Sequence, residues 1–266
     1  MINCLRAEWK KMRFSHAALC LGCALALIAL AYLGLRGQTW ASFGVQNGVQ
    51  PGFFTLEPRS APDVPAEELA GAASCAHTLI FWIFAVFWLD RTVAREVREH
   101  TCLPTIAKGV SRGIYLGCKL LSASVFVLFA YALTCLLACL VHQRLYAAGP
   151  GVWADALPRL GMNAAVLEGF LLLGAAVFTV IRSRPLACTL LFVYLFAGLV
   201  ALMAVPAPQG LLAALLHSHP MYFWLRQCGL GGPSWSWTPF AYALACGGVS
   251  LTVSFAVFQR RDLSVG

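Results

Sequence analysis

Charge is what this chain has least of. Only 11% of its 266 residues are Asp, Glu, Lys or Arg, while 60% are hydrophobic and the mean hydropathy is +0.75. Soluble domains carry about 25% charged residues, and a water-soluble fold of this length has no interior large enough to hide so much apolar side chain. Catalytic signatures are scarce as well. There is no HExxH, and no apolar run holds two carboxylates, which removes the metalloprotease pattern and paired acid–base chemistry. The nearest approach to a phosphate loop, "GIYLGCKL" at Gly113–Leu120, lacks both the spacing and the Ser/Thr of GxxxxGK[ST]. Nucleotide hydrolysis by this chain alone is excluded on that ground. A disulfide framework is missing too. Of the eleven cysteines, Cys20, Cys23, Cys135, Cys139, Cys188 and Cys246 lie in apolar runs, where a thiol acts as a small hydrophobe. Only Cys228 falls in an outer loop. The Cys20/Cys23 pair has no second pair or histidine placed as zinc requires.

Long apolar runs are abundant. A run of about 18 apolar residues or more crosses a hydrocarbon layer about 30 Å thick. Six such spans are predicted, at 16–35, 71–89, 120–141, 160–181, 186–205 and 238–258. The first exceeds the 7–15 apolar residues of a signal peptide and reads as a retained span. Alternating the six spans sorts the basic residues into two groups. Fourteen of the 19 Lys and Arg fall on the side of the N-terminal segment, five on the other. The positive-inside rule places the first group, with both termini, in the cytoplasm. This topology accounts for the net charge of +8, so no nucleic-acid partner is called for.

The segments outside the spans differ in character. In residues 1–14, Ile2, Leu5, Trp9 and Met12 share a face, opposite Arg6, Lys10, Lys11 and Arg13, which predicts an interfacial amphipathic helix. Residues 36–70, with four prolines and little periodicity, read as an external loop with a short helix starting near Pro65. Residues 206–237 are too apolar for a free loop. Pro206, Pro208, Pro220 and Pro233 cut them into pieces of about 8 residues, which predicts short helices re-entering the outer leaflet. Trp224, Trp235 and Trp237 suit an aromatic belt there. His217 and His219 form an HxH pair without a third metal ligand nearby in sequence. Within the spans, ionisable groups mark functional sites by default. Glu168 is the clear case, with Asn163 five residues before it, and it reads as lying about a third of the way in from the outer side. These two residues are the candidate substrate path. The plainer reading has Glu168 bonded to a neighbouring helix.

One polar stretch interrupts the pattern, residues 90–119 between the second and third spans. "DRTVAREVREH" reads as a helical extension of the second span. Arg91, Arg95 and Arg98 stack along it, Glu99 follows Arg95 by four, and His100 follows Glu96 by four. Pro104 and Gly109 then break the chain, and Ser111 caps a new helix leading into the third span. The expectation is a rigid elbow that transmits a push into the bundle. Topology alone needs only Lys and Arg, and does not call for the alternating acids, the breaks and the restart.

At these residues the chain resembles the ABC-2 type transporter permeases. Their second and third spans are joined by a run similar to "REVREHTCLPTIAKGVSRGIYLGCKLL". The architecture is similar over the full length, and the general look is closest to permeases of bacitracin and lantibiotic self-protection. The resemblance implies an all-α integral membrane fold, type V exporter-like, with a single permease domain over 1–266. It implies a multi-pass protein of the bacterial inner membrane that pairs with a second permease, identical or related. Its further partners would be membrane lipids and a separate ATP-binding cassette ATPase that holds ATP and Mg. This chain would bind no cofactor and no metal. Its role would be export of an amphipathic substrate such as a peptide antibiotic or a lipid-like compound. Carried over onto this sequence, the ATPase-coupling residues are Arg95, Glu96, Glu99, Thr101, Pro104, Lys108, Ser111 and Arg112, with Gly117 and Lys119 matching the end of the motif. Cys102–Leu103–Pro104 departs from the pattern, where apolar residues without a proline are expected. Two other readings suit the composition: a membrane scaffold or assembly factor that uses the elbow for another partner, and an intramembrane enzyme. The enzyme would need a cluster of polar groups at one depth.

Overall fold

A computed structural model describes Arg6 and residues 39–46, 50–58, 65–76, 79–98, 102–145, 147–181, 183–204, 209–228 and 235–260. The expected first span, and the interfacial helix apart from Arg6, lie outside the described residues. Four described helices are long and apolar enough to cross a membrane: α5 (Arg112–Leu145), α6 (Val152–Val180), α7 (Arg184–Ala204) and α10 (Thr238–Arg260). They correspond to the third to sixth expected spans. α5 and α6 start about eight residues earlier than the apolar runs suggested, because polar residues extend both helices. In α6 the early start carries the helix through Pro158, with the Asp155–Arg159 pair bridging that proline on one face. The second expected span is divided into α1 (Ala66–Ala76) and α2 (Leu79–Leu89), with residues 77–78 undescribed between them. Beyond α2 come a π-helical turn (Asp90–Ala94), α3 (Arg95–Arg98) and α4 (Leu103–Ala107). The 206–237 segment contains α8 (Gly210–His217) and α9 (Pro220–Cys228), two short helices of the expected length.

The loop reading of 36–70 is corrected. A two-stranded antiparallel hairpin occupies β1 (Thr39–Gln46) and β2 (Gln50–Pro58), paired from Thr39↔Pro58 to Gln46↔Gln50 with an irregularity between Ser42 and Gly44. Apart from this one small hairpin, the described residues form helices and short connections. The strands are rich in aromatic and β-branched residues, and the connecting sequence begins Asn47–Gly48, a hairpin-turn signature. Helix α1 starts directly after Pro65, as expected.

Helix α6 is the axis of the bundle. Its most apolar window is 61% buried, against 17% for α10, and α10, α1, α5 and α2 all pack on it. Trp82 lies against Phe170 with ring centroids 5.3 Å apart, Phe81 meets Tyr131, and Trp88 stacks on Phe126 at 4.3 Å. Small residues let the α6 and α10 backbones approach closely, as in membrane helix pairs generally. A Cβ at Gly169 would lie 3.0 Å from the Ala243 Cα, and one at Gly247 would lie 2.8 Å from Leu172 Cδ1. The outward faces are apolar. On α7, Leu186, Leu190, Val193 and Val200 are exposed at helical spacing, and Leu244 of α10 is 81% exposed. Such faces suit hydrocarbon and not water.

The close α6–α10 contact predicts that Gly169→Ala destabilises the chain by about 1–3 kcal/mol, because backbone must move to admit the methyl group. Gly161→Ala, in the same helix with open space around its Cα, should be neutral or slightly stabilising. Thermal unfolding of the two variants in one detergent checks this. Equal melting points would contradict the packing.

Candidate functional site, a polar collar at one end of the bundle

The polar stretch between α2 and α5 is folded, and its contacts gather three other helix ends around it. The π-turn opens where the apolar α2 stops, with the Arg95 N–H donating to the Asp90 carbonyl. Thr92 Oγ1 donates to the Trp88 carbonyl at 2.7 Å. π-Turns inside helices are rare and concentrate at functional positions. This one aims Asp90 inward, where it is 3% exposed and pairs with Arg184 Nη2 at 2.5 Å. The start of α7 is thereby tied to the end of α2. Arg91 and Arg95 remain on the surface.

Glu96, on α3, reaches across to α5. Its Oε2 accepts from the Tyr115 hydroxyl at 2.6 Å and pairs with Lys119 Nζ at 2.6 Å. Lys119 is only 2% exposed, and its ammonium also lies 5.7 Å from the centre of the Tyr115 ring. Tyr115 in turn runs parallel to Phe258 of α10 at 6.2 Å. Arg112 Nη1 donates to the Gln259 carbonyl at 3.1 Å, and Gly113 and Gly117 leave room for Phe255. Residues 112, 115 and 119 are separated by three and four, so one face of the first two turns of α5 makes all these contacts. Burying an ammonium is tolerated only with a close carboxylate and further hydrogen bonding, and Glu96 with Tyr115 supplies both.

The expected cap is present, with Ser111 Oγ accepting from the Ile114 N–H at 3.3 Å. Gly109, at φ +90°, makes the turn before it. Pro104 does not break the chain as expected. It is the second residue of α4, and the first turn of a helix tolerates a proline because no intrahelical bond is lost there. Among the described residues, the break after α4 falls at Gly109. Lys108 is exposed at the tip. Glu99, His100 and Thr101 lie outside the described residues. Of the coupling residues carried over, the structure therefore brings Glu96 and Lys119 together in the interior, places Ser111, Arg112 and Gly117 along the start of α5, and leaves Arg95 and Lys108 on the surface.

Gly109–Gly113 reads G-V-S-R-G, the spacing of a hydrolase nucleophile elbow, which the sequence reading overlooked in taking that motif to be absent. That motif needs a strand before the serine and a helix after it. Here α4 precedes, and the Ser111 oxygen serves the helix start.

Glu168 sits a little past the middle of α6, deeper than expected because the helix begins at Val152. Its Oε1 accepts from Ser124 Oγ of α5 at 2.7 Å, while its Oε2 is buried without a partner. Asn163 is 1% exposed, and both its amide atoms lack a hydrogen-bond partner. No direct bond joins Asn163 to Glu168. Of the HxH pair, His217 is exposed and stacks on Tyr222, whereas His219 is buried, so the two rings diverge. Among the described residues no group of three His, Cys, Asp or Glu is placed to hold a metal.

The sequence reading also missed a knot at the opposite end. Arg159, counted there as an outer-side charge, is 0% exposed. It bonds Asp155 through Nε at 2.8 Å and the Gln227 carbonyl of α9 through Nη1 at 2.7 Å, with Glu68 of α1 at 3.8 Å. The i,i+4 spacing of Asp155 and Arg159 is a visible signal of part of this, but nothing in the sequence announces Gln227. Cys228, expected in an open loop, is instead buried beside this knot, and burial pushes its thiol well above the ordinary range.

No protein-family model matches the chain, and no curated protein matches it. Described by its fold alone, it is a helical protein with four helices fit to cross a membrane and a folded polar collar at one end of them.

Lys119→Met should destabilise the chain by about 3–5 kcal/mol, since it removes the ammonium 2.6 Å from the Glu96 carboxylate in a mostly buried place. Adding Glu96→Gln should recover most of that loss. Denaturation of the two single variants and the double variant in detergent measures the coupling. Purely additive losses would mean that the two side chains do not act as a unit.

Proposed function

We propose that this chain is the membrane subunit of an ATP-driven exporter of the ABC-2 type, with six spans and both termini in the cytoplasm of a bacterium. A separate ATP-binding cassette subunit holds the nucleotide and docks on the collar, and a second permease completes the unit. Glu168 and Asn163 face the route of an amphipathic cargo.

The observation that carries this reading is the buried Glu96–Lys119–Tyr115 group. Through it, a segment that could have been a slack tether is joined firmly to α5. Asp90–Arg184 and Arg112–Gln259 bring α7 and α10 to the same place. A partner acting on Arg95 and Lys108 would therefore press on several helices at once. A ligand shifts a conformational equilibrium only by contacting its two states differently, and a pinned collar supplies such an element. The orphaned polar atoms of Asn163 and Glu168 are what a polar group of a passing cargo would satisfy.

Purified in mild detergent, the tagged chain should bring down an ATP-binding cassette protein. Charge reversal of the exposed pair, Arg95→Glu with Lys108→Glu, should weaken that complex at least tenfold without loss of membrane insertion. Glu96→Lys with Glu99→Lys should weaken it too, again without loss of membrane insertion. Recovery of the intact chain without any ATPase would favour the scaffold reading.

A further inference from the structure

Against the second half of α7, beginning at its midpoint Tyr194, the corner between α8 and α9 is fastened by one imidazole. His219 Nδ1 accepts from the Met221 N–H at 3.2 Å. Its Nε2 lies 3.1 Å from the Tyr194 carbonyl oxygen of α7, which can only accept. Together these partners fix the tautomer, with the proton on Nε2 and the lone pair on Nδ1. The ring lies against the Tyr194 ring at 4.5 Å and fills the notch left by Gly198. A Cβ at Gly198 would come within 2.6 Å of three ring atoms. The backbone of His219 is also engaged, its N–H with the Leu216 carbonyl and its carbonyl with the Tyr222 N–H.

The titratable groups around the ring offer a proton no counter-charge. On α7 there is Tyr194, whose neighbours are Tyr242 and Cys246 of α10. At the corner itself there is His217, which is exposed and turned to Tyr222. Among the described residues no carboxylate forms an ion pair with His219.

We propose that His219 is an acid-released pin for the α8–α9 pair. A proton taken from solvent onto Nδ1 turns the acceptor into a donor facing the Met221 N–H. The charged ring then leaves the Gly198 notch, and α8–α9 separates from α7. The sign follows from burial. The fastened imidazole is held at about 4, against 6.5 for a free one. The released state therefore binds the proton first. Fastening is complete above about pH 6.5, weakens as pH falls below that, and is weakest once pH passes about 4. The inference is independent of the exporter reading, since it concerns only how this corner of the fold is held.

The test uses the full chain in lipid nanodiscs with ring-15N histidine. Between pH 8 and 4, nitrogen NMR should show one imidazole, absent from His219→Gln, that keeps a bare Nδ1 and a protonated Nε2 until well below pH 6. In parallel, amide exchange over 209–228, corrected for its intrinsic pH dependence, should accelerate on acidification in the native chain and show no such step in His219→Gln. Gly198→Ala, which retains the histidine but fills its notch, should bring the ring's titration back to about 6.5 and raise exchange over 209–228 already at pH 7. The proposal is overturned if the His219 ring titrates near 6.5 in the native chain. It is equally overturned if the acid step persists in His219→Gln, or if Gly198→Ala changes neither the titration nor the exchange.

Discussion

An ammonium group withdrawn from water at the entrance of a transmembrane helix sets the terms for everything near it. Lys119 lies on α5 where that helix joins the bundle, and only a carboxylate delivered from another segment makes its burial tolerable. That carboxylate is Glu96. The chain from Asp90 to Ser111 must therefore return to one definite position, and the π-turn, the short α4 and the positive-φ Gly109 are the means by which it does so. With the collar fixed, Tyr115 meets Phe258, Arg112 meets the end of α10, and Asp90 meets the start of α7.

The two ends of the bundle are held by different physics. At the collar end, three separate ionic or hydrogen-bonded links join neighbouring helices, and the surface between them is basic. At the other end Arg159 is wholly buried among Asp155, Glu68 and the Gln227 carbonyl, and His219 is clasped without any charge. Between the two ends, packing of small residues and aromatics takes over, with α6 surrounded and the outer faces of α5, α7 and α10 left apolar. An arrangement with firm polar ends and a greasy middle is what a lipid environment imposes, because backbone and polar groups must find partners inside the protein wherever water is absent.

Much of this was legible in the amino acids, for identifiable reasons. The last four apolar runs, the serine cap at Ser111 and the proline-cut pieces of 206–237 each depend on neighbours in sequence, and each was found near its expected place. What escaped depends on partners far away in the chain. Glu96 reads locally as half of an i,i+4 pair with His100, which lies outside the described residues, and nothing local announces its contacts with Tyr115 and Lys119 on another helix. Arg159 reads as a loop charge because the apolar run begins after Pro158, while the helix itself begins at Val152. The hairpin at 39–58 did carry a local signal, Asn47–Gly48 between aromatic and β-branched runs. Asn163 and Glu168 were recognised as unusual from polarity alone, but their separate surroundings could come only from the packing of α6 against its neighbours.

The rigidity of the collar relative to the bundle can be measured directly. Nitroxide labels at Lys108→Cys and Arg260→Cys, in a chain whose native cysteines are replaced, would report the distance from the elbow tip to the end of α10 by pulsed electron resonance in nanodiscs. A single narrow distance distribution, broadened when Lys119→Met is added, is the predicted result. A broad distribution in the parent chain, indifferent to Lys119, would show the segment to be a loose tether and contradict the account.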